Sequence, residues 1–205
     1  PSGPAGRMPA PLGKLSFTET ISVLNNPARE LGIEETIIFF SNKQRFNYEQ
    51  PADDVDTSSG VICMPGNFKL PQEPKDHLLR ITNIANFERW AAFGGAGIGG
   101  ADVSSAGSAS VPLAPERGTP SGHAGQRPAP PYYAAKQRWY EQSCADVLGH
   151  IPDFRPHVKV VDMFTPRTIR HYTGHEGGAV YGSPRKLRTG ATGIDGLYII
   201  RTDQG

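Results

Sequence analysis

A tract of 38 residues near the middle of the chain, residues 94–131, most strongly limits how this sequence can fold. It contains 9 Gly, 7 Ala, 6 Pro and 5 Ser and no aromatic residue, a composition that cannot bury a hydrophobic core. We interpret it as a low-complexity insert, and the Pro- and Gly-rich residues 1–13 as a flexible lead-in. A folded domain must then be built from residues 14–93 and 132–192.

The composition predicts one domain of ordinary size. Of 205 residues, 37% are hydrophobic, and 21 Lys and Arg face 20 Asp and Glu. A net charge of +1 creates no field that attracts phosphates, so we expect no nucleic-acid partner. The two cysteines, Cys63 and Cys144, are too few for a disulfide framework. Since we find neither a secretory signal nor an apolar run of roughly 20 residues, we expect a cytoplasmic or peripheral membrane location.

Hydrophobic periodicity predicts a mixture of strands and helices, of class α+β or α/β. We expect strands over residues 15–24, 35–40, 60–64, 77–84 and 157–164, and a buried closing strand over residues 196–200. Residues 41–59 read as a polar connection. We expect helices after Pro27, over residues 132–149, and from Pro166 to Tyr172.

Two motifs carry little chemistry on their own. Residues 95–100 (GAGIGG) match the dinucleotide pattern G-x-G-x-x-G. That pattern needs a buried strand before it and an apolar helix after it, and the flanking residues offer neither, so a linker is the favoured interpretation. His171 and His175 are four residues apart, but Gly174 lies between them, and we expect no metal site there.

The C-terminal third is rich in glycine, with seven between residues 174 and 196. Because glycine has no Cβ, such a stretch lets the backbone approach a flat ligand closely. A tight glycine-rich connection explains the same residues equally well. The polar residues after 196–200 are likewise open to two interpretations, a ligand site at the end of a buried strand or a frayed tail.

The order of these segments resembles the superfamily of FAD-dependent phytoene desaturases, carotenoid isomerases and retinol saturases, within the flavin amine-oxidase-like fold. The most specific part is TPRTIRHYTG at residues 165–174 followed by GGAVYG at residues 177–182. Supporting similarity lies in residues 26–40, 59–65, 80–90, 133–154 and 196–198.

The resemblance implies the mixed-sheet, substrate-binding domain of a Rossmann-type flavoprotein. Residues 193–205 would be the last strand of its FAD-binding domain, whose N-terminal part is missing from this chain. The intact parent would be an FAD-dependent oxidoreductase that transfers hydride between the flavin and a C–C bond of an apolar polyene or isoprenoid-like substrate, with a membrane surface as a possible source of substrate. We expect the isolated chain to be inactive.

The resemblance also implies site residues, although it assigns no catalytic residue. Those expected to bind the cofactor are Thr173, Gly174, Gly177, Gly178, Tyr181 and Asp203, and those expected on the substrate sheet are Ile38, Phe40, Ile62 and Ile84. The alternative is a non-catalytic module that binds an apolar ligand or a protein partner.

Overall fold

A computed structural model describes residues 15–69, 71–72, 74–93, 131–181 and 187–200. The GAGIGG motif and Asp203 therefore lie outside the described residues, as do the lead-in and nearly all of the insert. The described chain forms the strands β1 (Ser16–Leu24), β2 (Ile37–Ser41), β3 (Val55–Cys63), β4 (His77–Ala85) and β5 (Val158–Phe164), and the α-helices α1 (Phe87–Ala92), α2 (Pro131–Asp146) and α3 (Pro166–Thr173).

The strands form one open sheet of five in the order β2-β3-β4-β1-β5. Each neighbouring pair is antiparallel. The presence of both strands and helices confirms the predicted mixed class. The mixed sheet implied by the resemblance is not observed in the described strands, because every pairing runs antiparallel. An antiparallel sheet can pack one face on a core and leave the other uncovered, and in the described chain α3 and the segment after it reach only one end of this second face.

Most predicted elements are present, with shifted ends. α3 agrees best, because the Thr165 hydroxyl caps its first turn and Pro166 occupies the first helical position. At its other end Gly174 adopts the left-handed conformation, with φ of 71°. β3 begins at Val55, inside the stretch predicted as a polar connection. Thr57 and Ser59 are buried there, so this half of the strand buries hydroxyl groups and lacks an apolar signal.

The prediction of a buried strand over residues 196–200 is wrong. These residues are exposed, and their neighbourhood holds one isolated antiparallel bridge, between Ala191 and Tyr198. A bond from the Ile199 N–H to the Gly190 carbonyl, 2.7 Å, closes the same turn. The apolar run is real, but none of the described strands pairs with it.

The hydrophobic core lies between one face of the sheet and α2. Its largest fully buried side chains include Trp90, Phe154, Leu24, Ile62, Leu79, Ile81 and Met163. Asp54, only 3% exposed, joins β3 to two helices. Its carboxylate accepts bonds from Arg89 of α1 at 2.7 Å, and from Arg138 and Trp139 of α2 at 3.0 and 2.9 Å.

β1 presents its polar side to this core. Ser16, Thr18, Thr20 and Ser22 are fully buried on the side that carries Leu24. The Ser22 hydroxyl lies 2.9 Å from the Tyr140 hydroxyl of α2. Because side chains alternate along a strand, the apolar residues of β1 point to the uncovered face.

Candidate apolar ligand site

The uncovered side of the sheet, here called the open face, is largely apolar. Residues directly opposite each other in an antiparallel pair share a face, so the pairing of Phe17 with Ile84, and of Val23 with both Leu78 and Val160, places all of them there. By the same register the open face continues through Ile21, Val61, Cys63, Ile37, Phe39 and Phe164. Phe39 is 79% exposed. No described helix covers the middle of this surface.

A pocket of about 520 Å³ lies where β1 and β5 meet α3. Phe17 and Phe164 come from the sheet, Ile169 from α3, and Val180 and Tyr181 from the segment that follows. The Phe17 and Tyr181 rings meet edge to face, with centroids 5.6 Å apart. This size is typical of a small-ligand site, and the lining favours an apolar molecule.

A few polar groups enter the same pocket. Glu19, Thr82, Thr173 and His175 line it. The Thr173 hydroxyl donates to the Ile169 carbonyl at 2.8 Å and accepts from the His175 N–H at 3.1 Å. The Nδ1 atom of His175 lies 2.8 Å from the Ala179 carbonyl, which makes that nitrogen the donor. These bonds fix the turn after α3 and leave Glu19 and Thr82 as the polar groups on the sheet side.

Glu19 is paired with Arg80 from β4. The Arg80 Nε and Nη2 atoms both contact Oε1 of Glu19. This hydrogen bond raises the pKa of Arg80 above its ordinary value. An ion pair therefore lies on the open face at the pocket, beside Phe17 and Phe164.

The predicted cofactor residues that the structure describes are divided between the pocket lining and the turn that follows α3. Thr173 and Tyr181 line the pocket. Gly174 and Gly177 have no atom within 4 Å of where a Cβ would stand. Gly178 is buried, and its carbonyl accepts a bond from the Ser16 hydroxyl at 2.7 Å. A Cβ on Gly178 would stand 2.5 Å from the Pro166 carbonyl oxygen, so packing accounts for this glycine.

The predicted substrate residues fall on both faces of the sheet. Ile38 pairs with Ile62, and Phe40 pairs with Gly60, on the side of the core. Ile62 and Phe40 are buried in that core and do not line the pocket. Ile84 is on the open face beside Phe17. The register therefore brings one of the four predicted residues next to the pocket.

Several lining residues were missed by sequence reasoning. Phe17 and Phe164 were assigned to strands without a face, and Glu19 and Thr82 were not considered. The available signal was the alternation of β1, because Phe17, Glu19 and Ile21 occupy one side of that strand. The sequence does not show on which side of β1 the helix α2 packs.

The described residues do not fit a complete FAD. A dinucleotide needs a helix N-terminus or a nest of free N–H groups for its pyrophosphate. The first turn of α3 is capped by Thr165. The nearby arginines are engaged: Arg167 stacks on Tyr132, Arg170 stacks on Phe87, and Arg80 holds Glu19. In the described part of the chain, the pocket offers walls for an apolar group and no phosphate site.

Comparison with protein-family models, with curated proteins and with solved structures finds no match to this chain. In the ranges that the structure describes, no helix is long and apolar enough to cross a bilayer. The same ranges hold no group of three or more His, Cys, Asp or Glu side chains placed to bind a metal ion.

Proposed function

We propose that this chain is the substrate-binding part of an FAD-dependent oxidoreductase that acts on C–C bonds of an apolar polyene or isoprenoid-like molecule. The flavin would be held by residues other than those described. The contribution of the described residues is to bind the apolar ligand against the open face, to orient it, and to exclude water from it. The orientation of β1 carries this proposal.

The apolar residues of β1 lie on the open face. Phe17, Ile21 and Val23 face away from α2, whereas four hydroxyl residues face α2. Exposing apolar side chains to water has a cost of about 25 cal/mol per Å². Apolar side chains grouped on one uncovered sheet face, here with Arg80 and Asp162 between them, mark a surface that binds a ligand or a partner. The pocket at its end supplies a concave site for the ligand.

The exposed apolar run near the C-terminal end supports the presence of a second, flavin-binding domain that packs against this one. Ile194, Leu197, Tyr198 and Ile200 are all more than half exposed, although this run resembles the last strand of an FAD-binding domain. Its Ile and Tyr residues favour a strand conformation. An apolar segment that pairs with no described strand is suited to join another sheet. We propose that the flavin-binding sheet is the one it joins.

A binding experiment tests the ligand part of the proposal. Farnesene, an isoprenoid hydrocarbon, is equilibrated by dialysis with the full chain, using cyclodextrin as carrier. We expect retention by the wild type and a loss on the order of tenfold in Phe17→Asn/Phe164→Asn, because two aromatic walls of the pocket become polar. Phe68→Asn is the control, since Phe68 is exposed and does not line the pocket. Equal affinity in all three proteins would refute the proposal.

A protein-interaction module is the second candidate. β2 is an edge strand, and Ile37 and Phe39 on it are exposed. An exposed apolar edge can pair with another chain. This reading predicts self-association or partner binding that Phe39→Lys abolishes, without retention of farnesene.

A further inference from the structure

Resting on the proposed function, we infer that Glu19, together with Thr82, recognises a hydroxyl group on the apolar ligand. The pocket ligand would thus be an isoprenoid alcohol, in preference to the matching hydrocarbon or carboxylic acid. The inference depends on the position of the Glu19–Arg80 ion pair and on which of its atoms are already bonded.

Glu19 and Thr82 stand directly opposite each other on β1 and β4. Both line the pocket beside Phe17 and Phe164. Residues paired in this way have their Cβ atoms about 5 Å apart, so one hydroxyl group of a ligand can reach both side chains. Their neighbours on the sheet side of the lining are apolar, and the polar groups on the other side, Thr173 and His175, are bonded within the turn after α3.

The Glu19–Arg80 ion pair leaves one carboxylate oxygen of Glu19, Oε2, available as an acceptor. Arg80 contacts only the Oε1 atom of Glu19, and no described residue donates to Oε2. The Thr82 hydroxyl likewise has no hydrogen-bond partner in the described ranges. The Glu19 side chain is 19% exposed, so a ligand that fills the pocket would desolvate it. A desolvated carboxylate oxygen requires a donor.

The charges of the Glu19–Arg80 pair determine which polar group on an apolar ligand can bind in the pocket. Arg80 holds the Oε1 atom of Glu19 in an ion pair and does not itself line the pocket. A ligand hydroxyl can donate to Oε2 and accept from Thr82. A hydrocarbon satisfies neither atom, and a carboxylate would be repelled by Glu19. Hydrogen bonds to charged groups contribute more than neutral ones, so the alcohol should be preferred by on the order of tenfold.

The test compares farnesol, farnesene and farnesoic acid by dialysis against the full chain with cyclodextrin carrier. The measured quantity is the ratio of farnesol to farnesene affinity, in the wild type and in Glu19→Leu/Arg80→Leu. Replacing both partners by leucine avoids leaving one charge unpaired. We expect the ratio to fall about tenfold in the double variant, while farnesene affinity is retained or increased. Thr82→Val should give a smaller decrease.

The control is Asp153→Leu/Arg155→Leu, which removes an ion pair that does not line the pocket. It should leave the ratio unchanged, and circular dichroism verifies that each variant is folded. An unchanged ratio in Glu19→Leu/Arg80→Leu, or tightest binding of farnesoic acid to the wild type, would overturn the inference and leave the proposed function standing. Failure of the wild type to bind farnesene and farnesol would overturn both.

Discussion

Single buried hydroxyl groups differ in whether they stabilise this fold. Ser143 of α2 is fully buried, and no described residue is a hydrogen-bond partner of its hydroxyl. Ser143→Ala should therefore stabilise the chain by about 1 kcal/mol, because it removes an unpaired polar group and improves helix propensity. Ser22→Ala is the matched variant, and it should destabilise the chain by about 1 kcal/mol since it removes the buried hydrogen bond between the Ser22 and Tyr140 hydroxyls. Urea unfolding measures both, and a loss of stability in Ser143→Ala would contradict the prediction.

Gly178 is required by its backbone and by its neighbours. It has φ of 59°, and a Cβ there would stand 2.5 Å from the Pro166 carbonyl oxygen and 3.0 Å from the Ser16 hydroxyl. Gly178→Ala should destabilise the chain by on the order of 3 kcal/mol, from backbone strain and overpacking combined. Gly174→Ala tests strain alone, since its φ is 71° and no atom lies near its Cβ position. We expect about 1 kcal/mol there, and equal costs in the two variants would disprove the packing role.

α2 makes the stability of the fold sensitive to alkaline pH. Burial raises the pKa of the Cys144 thiol to about 12, although a hydrogen bond with Tyr140 opposes this change. Burial also raises the pKa of Tyr140. Above about pH 9 the thiol ionises in the unfolded chain but stays protonated in the folded one, so stability falls by roughly 1.4 kcal/mol per pH unit up to the folded pKa. Below that window this contribution is fully present.

Cys144→Ala should show a weaker alkaline decline than the wild type. Urea unfolding in reducing buffer at about pH 7.5, 9 and 10.5 measures it. The cavity left by the substitution lowers stability at every pH, so the informative quantity is the change in the difference between the two proteins. That difference should shrink above pH 9. Parallel curves for the two proteins would show that the thiol is not protected from ionisation.

At the scale of elements, the sequence predicted most strands but not which way they face. The alternation of β1 identifies a strand and separates Phe17, Ile21 and Val23 from the hydroxyl residues between them. Alternation does not state which set meets the helix. β4 is apolar on both sides, with Leu79 and Ile81 toward α2 and Leu78 and Ile84 away from it. The packing of α2 determines which side of β1 is buried, and the buried side chains of α2 are mostly small or polar.

At the scale of the molecule, the pocket was partly predictable. Thr173 and Tyr181 belong to the continuous motif of residues 165–182, so local sequence was enough to find them. Phe17, Thr82 and Phe164 reach the same cavity through the order β4-β1-β5. That order depends on long-range pairing, which no local pattern contains.

The described chain should bind an apolar ligand without retaining FAD. The open face and its pocket need only apolar contacts, which are present. FAD also needs a site for two phosphates, and a capped helix and arginines already stacked or paired do not provide one. After incubation with excess FAD and desalting, the protein should show no flavin absorbance, while farnesene retention in the same sample verifies that the pocket is intact. Stoichiometric, tightly held yellow flavin would place the nucleotide site within this chain, and the division of labour between ligand-binding and flavin-binding parts would have to be abandoned.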